Sequence, residues 1–158
     1  MSTLKLLRLF PVISSTVNLM WAHDEYAFLS SWMSSSYRAQ ADTLLPSWFK
    51  TWLQKGVWFP LGVSFPATVA VGLANIFTDR AGLEAVGALK WYWMGVGFTV
   101  AHFLYGPKAM RLLAAIQAGG QDGKATKPMG EWLRMHLTRI IIADLPAFIC
   151  FTVAASKV

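Results

Sequence analysis

Residues Arg134 to Ala155 read RMHLTRIIIADLPAFICFTVAA. From Leu137 to Ala155 this stretch approaches the length of a membrane-spanning helix, about 20 residues, yet it carries Arg139 and Asp144. A carboxylate placed in hydrocarbon costs about 3 kcal/mol on insertion scales. Ionisable groups at such depth usually line a cavity or meet a buried partner. What Asp144 does there therefore bears on both the fold and the site.

Three further stretches resemble spans. Val57 to Phe77 is 21 residues without a charge, Ala85 to Tyr105 carries only Lys90, and Phe10 to about Met33 forms the first. The pattern predicts an all-α fold, an integral membrane four-helix bundle, with helices at about 10–33, 57–77, 85–105 and 137–155 in one domain of 158 residues. Pro60, Pro66 and Pro146 would break soluble helices but are tolerated where neighbouring helices satisfy the freed carbonyls. Lys5 and Arg8 precede a region with the outline of a signal peptide, but Ser14, Ser15, Thr16 and Asn18 make it too polar, and no small-x-small site follows. It reads as a first helix that is retained.

Composition agrees. The chain is 55% hydrophobic and 14% charged, against about 25% charged in a soluble domain. The net charge of +6 comes from positives scattered in short segments between apolar stretches. That suits loops at anionic lipid headgroups and gives no dense basic patch for nucleic acid. The single cysteine, Cys150, excludes an internal disulfide and a cysteine-based metal cluster, and reads as a buried, inert thiol. No internal repeat is found. The connection SSSYRAQADTLLPSWFKTWLQKG reads as an interfacial segment, TDRAGLE as a short turn, and GGQDGKATKPMG as a flexible stretch after an extension of the third helix.

Lys and Arg counts give an orientation. The first and third loops, up to Arg139, hold nine: Arg38, Lys50, Lys55, Lys108, Arg111, Lys124, Lys127, Arg134 and Arg139. The termini and second loop hold five: Lys5, Arg8, Arg80, Lys90 and Lys157. The expectation is an integral protein of the endoplasmic reticulum with both termini lumenal. The lipid bilayer and a hydrophobic small molecule are its expected partners, and a homo-oligomer is left open.

Every predicted span carries a polar stripe. Ser15, Asn18, Ala22 and Glu25 recur at helical spacing in the first, as do Ser64, Thr68, Gly72 and Asn75 in the second and Tyr92, Gly95, Thr99 and His102 in the third. Ser, Thr and Asn in such stripes commonly hydrogen-bond between helices. Glu25, His102 and Asp144 are less easily read that way, although a buried Asp–His or Asp–Arg structural pair competes with a functional role. Arg139 and Asp144 stand about 140° apart on an ideal helix. Each is thus expected to meet a partner on another helix, or Arg139 to snorkel to the interface. His23, Asp24 and Glu25 are consecutive and fan out around the axis, which disfavours a shared metal. No HExxH, GxGxxG, P-loop or GxSxG is present, so neither a metal nor a nucleotide cofactor is expected.

GFTVAHFLYGPKAMRLLAA (residues 97–115) and GEWLRMHLTRIIIADLPAFICFTVA (residues 130–154) resemble the end of the anthrone-oxygenase-like family of small four-helix membrane proteins, with Trp132, His136 and Arg139 matching its last span. FLSSWMSSSYRAQADTLLPSWFKTWLQKG (residues 28–56) is similar to its fungal secondary-metabolite branch. That resemblance implies a tailoring role. Some members oxidise anthrones without bound metal or flavin. Others accompany polyketide pathways of the citreoviridin and aurovertin kind, where epoxides are opened and recyclised. LPSWFKTWL also resembles the sterol-handling emopamil-binding group over a short match.

The leading expectation is a membrane epoxide hydrolase or cyclase in which Glu25 and Asp144 divide acid and base roles, as two carboxylates in different environments can. His102 or Arg139 would tune one of them, while Asn18, Thr68, Tyr92 and His136 would contact substrate. A cofactor-free oxygenase would instead need one base, His102 or His136, to form a carbanion that meets dioxygen. A lipid- or sterol-binding protein is the non-enzymatic alternative.

Overall fold

The computed structural model describes residues 3–158, and every regular element in them is helical. Eight α-helices follow in order: α1 (Thr3–Ser31), α2 (Arg38–Gly56), α3 (Phe65–Thr78), α4 (Arg80–Ala85), α5 (Leu89–Ala101), α6 (Gly106–Gln117), α7 (Thr126–Arg139) and α8 (Leu145–Ser156). Tighter or wider turns join several of them into longer rods. Two such runs, Arg38–Thr78 and Thr126–Ser156, are long and apolar enough to cross a membrane. Residues 137–155 lie within the second of these runs and 57–77 within the first, with a bend at Val57. The expected 10–33 overruns α1, which ends at Ser31, and the expected 85–105 begins as continuous helix only at Leu89, because the chain turns at 86–88 with Gly87 at φ +68°. Gly119 and Gly120, at φ +87° and +70°, take the left-handed conformations that end a helix, and their N–H groups bond back to Ile116 and Ala115.

The prolines explain the departures from regular helix. Pro11 gives no N–H to the carbonyl of Leu7, and the side chain of Asn75 donates to that carbonyl instead at 2.7 Å. Pro66 and Pro146 each follow a π-turn by two residues, Pro60–Ser64 and Ile140–Asp144. In these turns the N–H of Phe65 reaches Pro60 and that of Leu145 reaches Ile140, each five residues back. Such single-turn π-bulges are frequent at functional sites.

α1 packs against α3 and α8, and α5 against the same two, while α2, α6 and α7 pack together beside the end of α1. Two apolar cores result. One gathers Leu45, Phe49, Ile116, Met129 and Leu133 with Leu29 of α1. The other gathers Ile76, Leu83, Tyr92, Val96 and Phe151. Close approach in the second depends on Gly95, where a Cβ would lie 2.7 Å from the Phe151 ring. Most of the buried polar residues fall between these cores: Ser14, Ser15 and Asn18; Ser64 and Thr68; Thr99 and His102; His136, Arg139 and Asp144, while Asn75 and Thr126 lie towards the two ends. A polar layer is thereby sandwiched between apolar ones.

Candidate active site

The polar layer is built around Arg139. Its guanidinium donates to His136 Nδ1 at 2.7 Å, and His136 Nε2 lies 2.8 Å from the carbonyl oxygen of Ala22. A guanidinium can only donate and a carbonyl can only accept, so His136 is the neutral tautomer with its proton on Nε2. Its ring also stacks on Trp132, with centroids 4.5 Å apart and planes 17° from parallel. Both nitrogens are committed and the side chain is wholly buried. His136 therefore holds Arg139 in place and does not face the cavity.

Asp144 has two neighbours. Its Oδ1 is 2.8 Å from His102 Nδ1, and its Oδ2 is 3.6 Å from Arg139 Nε, an ion pair just beyond hydrogen-bond reach. An ideal helix would set Arg139 and Asp144 on different faces, but the π-turn between them bonds residue i to i+5 and so brings residues five apart to one side. The expectation that they could not pair within their own helix is thus corrected, as is the snorkelling of Arg139, which is 8% exposed and turned inward. Asp144 also meets a partner on another rod, as expected. With the carboxylate ionised, His102 donates from Nδ1 and keeps a lone pair on Nε2.

His102 and Arg139 border a cavity of about 120 Å³. Asn18, Trp21 and Glu25 of α1 line it at spacings of three and four, facing His102 and Arg139. Trp52, Phe65, Phe103, Leu113 and Trp132 supply apolar wall. At roughly 10–15 Å³ for each water-sized probe, the space takes a segment of an organic chain rather than a few ordered waters. Leu61, Phe103 and Met110 are both cavity wall and outer surface, so the mouth opens on the apolar exterior. Among the described residues, no three His, Cys, Asp or Glu side chains stand close enough to share a metal ion.

The expected site residues divide accordingly. Glu25, His102, Arg139 and Asn18 come together on the cavity wall. Glu25 Oε2 is 3.8 Å from His136 Nε2. Asp144 stands behind His102, so the two carboxylates do not face one another across the cavity. Thr68 is fully buried behind Asn18, which donates to it at 3.2 Å. Tyr92 lies in the second apolar core, its hydroxyl donating to the carbonyl of Arg8 at 3.1 Å. That is the end of the molecule where Arg8 also pairs with Asp79 at 2.6 Å. Trp21 and Trp52 were not expected. Trp21 could have been found from its place three residues after Asn18, on the stripe that ends in Glu25.

Comparison with known proteins gives three full-length fungal relatives. The protein named probable epoxidase scpX of Mollisia scopiformis is 41% identical over 160 residues, covering 99% of both chains. The epoxidase pydX of an Acremonium species is 41% identical over 154 residues, covering 98% of this chain and 94% of that one. The chain belongs to this epoxidase family. A third member, the epoxidase gkaX of Penicillium citrinum, is 36% identical over 154 residues, covering 98% of this chain and 95% of its own. No family model and no solved structure matches the chain. The fungal kinship expected from residues 28–56 agrees with these relatives. Their names speak of epoxidation, and none speaks of hydrolysis.

Proposed function

We propose that the chain is a tailoring enzyme of fungal biosynthesis, an oxygenase that places an epoxide on an unsaturated, hydrophobic substrate drawn from the bilayer. The observation that carries the reading is the Asp144–His102 pair at the wall of an apolar cavity, with the Arg139 guanidinium beside it. The epoxidase relatives support the class of reaction. His102 Nε2 takes a proton from a substrate carbon that a neighbouring carbonyl makes acidic, and Arg139 stabilises the resulting anion. Dioxygen adds to that carbon. The outer peroxide oxygen then passes across a C=C bond as the O–O bond breaks, and the proton returns to the oxygen left on carbon. One dioxygen is consumed, the substrate itself supplies all four electrons, two from the C–H that becomes C–OH and two from the C=C, and the products are an epoxide and a hydroxyl. His136 and Asp144 act through others, as positioning residues for Arg139 and His102.

A membrane site fits this role. Large apolar side chains lie exposed along every long rod, among them Ile13 and Met20 of α1, Val63 and Phe77, Val100 and Leu104, and Ile141 and Ile149. A lipid environment would cover them, in a four-helix membrane bundle with both termini lumenal. A second reading, epoxide opening or cyclisation, is favoured by Glu25, a carboxyl on the α1 wall of the same cavity, which with His102 would supply an acid and a base.

Deleting the gene in the producing organism, with growth under ¹⁸O₂, separates the two. An accumulated precursor lacking the epoxide oxygen, with dioxygen-derived label in the normal product, is the outcome expected of an oxygenase. An accumulated epoxide, either isomeric with the product or one water lighter, would replace that reading with epoxide opening. Unchanged metabolites would leave a binding role.

A further inference from the structure

Where the two membrane-length runs begin, the surface dips. Arg38 opens the run Arg38–Thr78, and Lys127 is the second residue of the run Thr126–Ser156. Both line a depression of about 520 Å³, together with Lys124 and Arg134. The one acid in its lining is Asp42, whose Oδ1 accepts the backbone N–H of Thr126 at 2.8 Å. All four cations are exposed, and among the described residues no carboxylate forms an ion pair with any of them. Four positive charges against one negative thus surround a single hollow. Like charges gathered in this way destabilise the fold unless an anion joins them.

We infer that this depression binds the phosphate monoester head of a membrane lipid. Such a group carries close to two negative charges at neutral pH, its second pKa being about 6, and offers three strong acceptor oxygens. Arg38 and Arg134 come from different helices, and each can present a fork of N–H donors, while Lys124 and Lys127 add point charges. Met33 and Ala39 complete the lining with apolar surface, which suits the start of a lipid's chains. Position favours a lipid over a soluble phosphate. In the proposed membrane setting the ends of the two runs lie at headgroup level, and the positive-inside rule turns this end to the cytosolic leaflet, which carries the anionic lipids. Tyr37, beside Arg38 and 58% exposed, is a side chain suited to that level. A zwitterionic head would bring its own cation to a hollow that already has four. The inference rests on the membrane setting and is independent of the reaction at the cavity.

The test uses the full chain in micelles of a neutral detergent, with bound lipids counted by native mass spectrometry. Dioleoyl phosphatidic acid is expected to half-saturate at about thirtyfold lower concentration than dioleoyl phosphatidylcholine, with the singly charged dioleoyl phosphatidylglycerol between them. Arg38→Gln combined with Arg134→Gln removes half of the cations and should shrink that preference to about fivefold. Lys124→Gln combined with Lys127→Gln should do the same, and decides if the arginine variant fails to fold. Lys50→Gln combined with Lys55→Gln, an equal loss of charge at exposed positions outside the depression, should leave the preference intact. Glycerol 3-phosphate, the head without the chains, should not displace the lipid even in large excess. Equal half-saturation by the three lipids, an intact preference in the folded depression variants, or the same loss in the variant at Lys50 and Lys55 would overturn the proposal. Displacement by glycerol 3-phosphate would overturn the lipid and give the hollow to a soluble phosphate monoester. Resistance to carbonate extraction reads the membrane setting by itself. A chain that stays in the membrane and shows no lipid preference therefore loses the head-group site alone, and the isotope experiment is untouched by either result.

Discussion

Arg139 is buried with one anion, Asp144, close enough to pair with it, and that shapes what substitution does. Replacing Asp144 by Asn leaves the guanidinium without its charge partner and lets the amide present the wrong face to His102. Breaking a buried pair from one side costs about 3–5 kcal/mol, whereas removing both charges is often near neutral. Asp144→Asn and Arg139→Met are therefore each expected to lower the unfolding temperature sharply in nanodiscs. The double variant should lose less than the two losses added. Simple additivity in a double-mutant cycle would show that the 3.6 Å approach carries no coupling. At this scale the sequence was partly legible. A carboxylate in an apolar span announced that something must meet it, and His102 was among the residues singled out. Which residue faces substrate was not legible, because the order Arg139–Asp144–His102 depends on a turn that periodicity assumes to be regular.

Among the elements, Pro146 and Pro66 were read from sequence as breaks that neighbouring helices would tolerate, while the π-turns upstream of both stayed hidden. A π-turn adds one residue without changing composition, so a hydropathy pattern passes over it, yet it reassigns faces for everything before it. The polar stripes of the first three spans did follow from spacing. Asn18, Thr68, Asn75, Thr99 and His102 are all buried, because no π-turn falls between the residues of these stripes. The stripes also contain Gly72 and Gly95, where α3, α5 and α8 approach closely. A methyl at Gly95 would meet three Phe151 ring atoms between 2.7 and 2.9 Å, and one at Gly72 would meet Val96 at 2.7 Å. Overpacking of this kind costs about 1–3 kcal/mol. Gly95→Ala should lower the unfolding temperature, and Phe151→Leu, itself destabilising alone, should recover part of the loss when combined with it. A Gly95→Ala protein as stable as wild type would mean that Phe151 can swing aside freely.

The whole molecule places its buried polar layer between two apolar cores, one held by α2, α6 and α7 and the other by α3, α5 and α8. The all-helical class was legible, and the four apolar stretches marked parts of the long rods, but α2 and α6 are less apolar and their share of the core came only with the fold. Arg38 of α2, Lys124 between α6 and α7, and Lys127 and Arg134 of α7 surround a single depression that also holds Asp42. At the opposite end Asp79 binds Arg8 and caps α4 through the N–H of Gly82. In the proposed membrane setting, the positive-inside rule predicts that the end with the depression faces the cytosol. A glycosylation acceptor appended after Val158 should be modified in microsomes, and one inserted between Gly120 and Lys124 should not. The reverse pattern would invert the orientation.

The mouth of the cavity lies at Leu61, Phe103 and Met110, which are also part of the outer apolar surface. In the proposed membrane setting, substrate arrives sideways from the lipid, and the concentration that governs its binding is a mole fraction in a two-dimensional phase. Buffer volume does not enter that quantity, while the amount of membrane does. A cell that expands its membranes without making more substrate would slow the enzyme by dilution, and clustering it where the substrate is released would restore the rate with no change to any residue in the site.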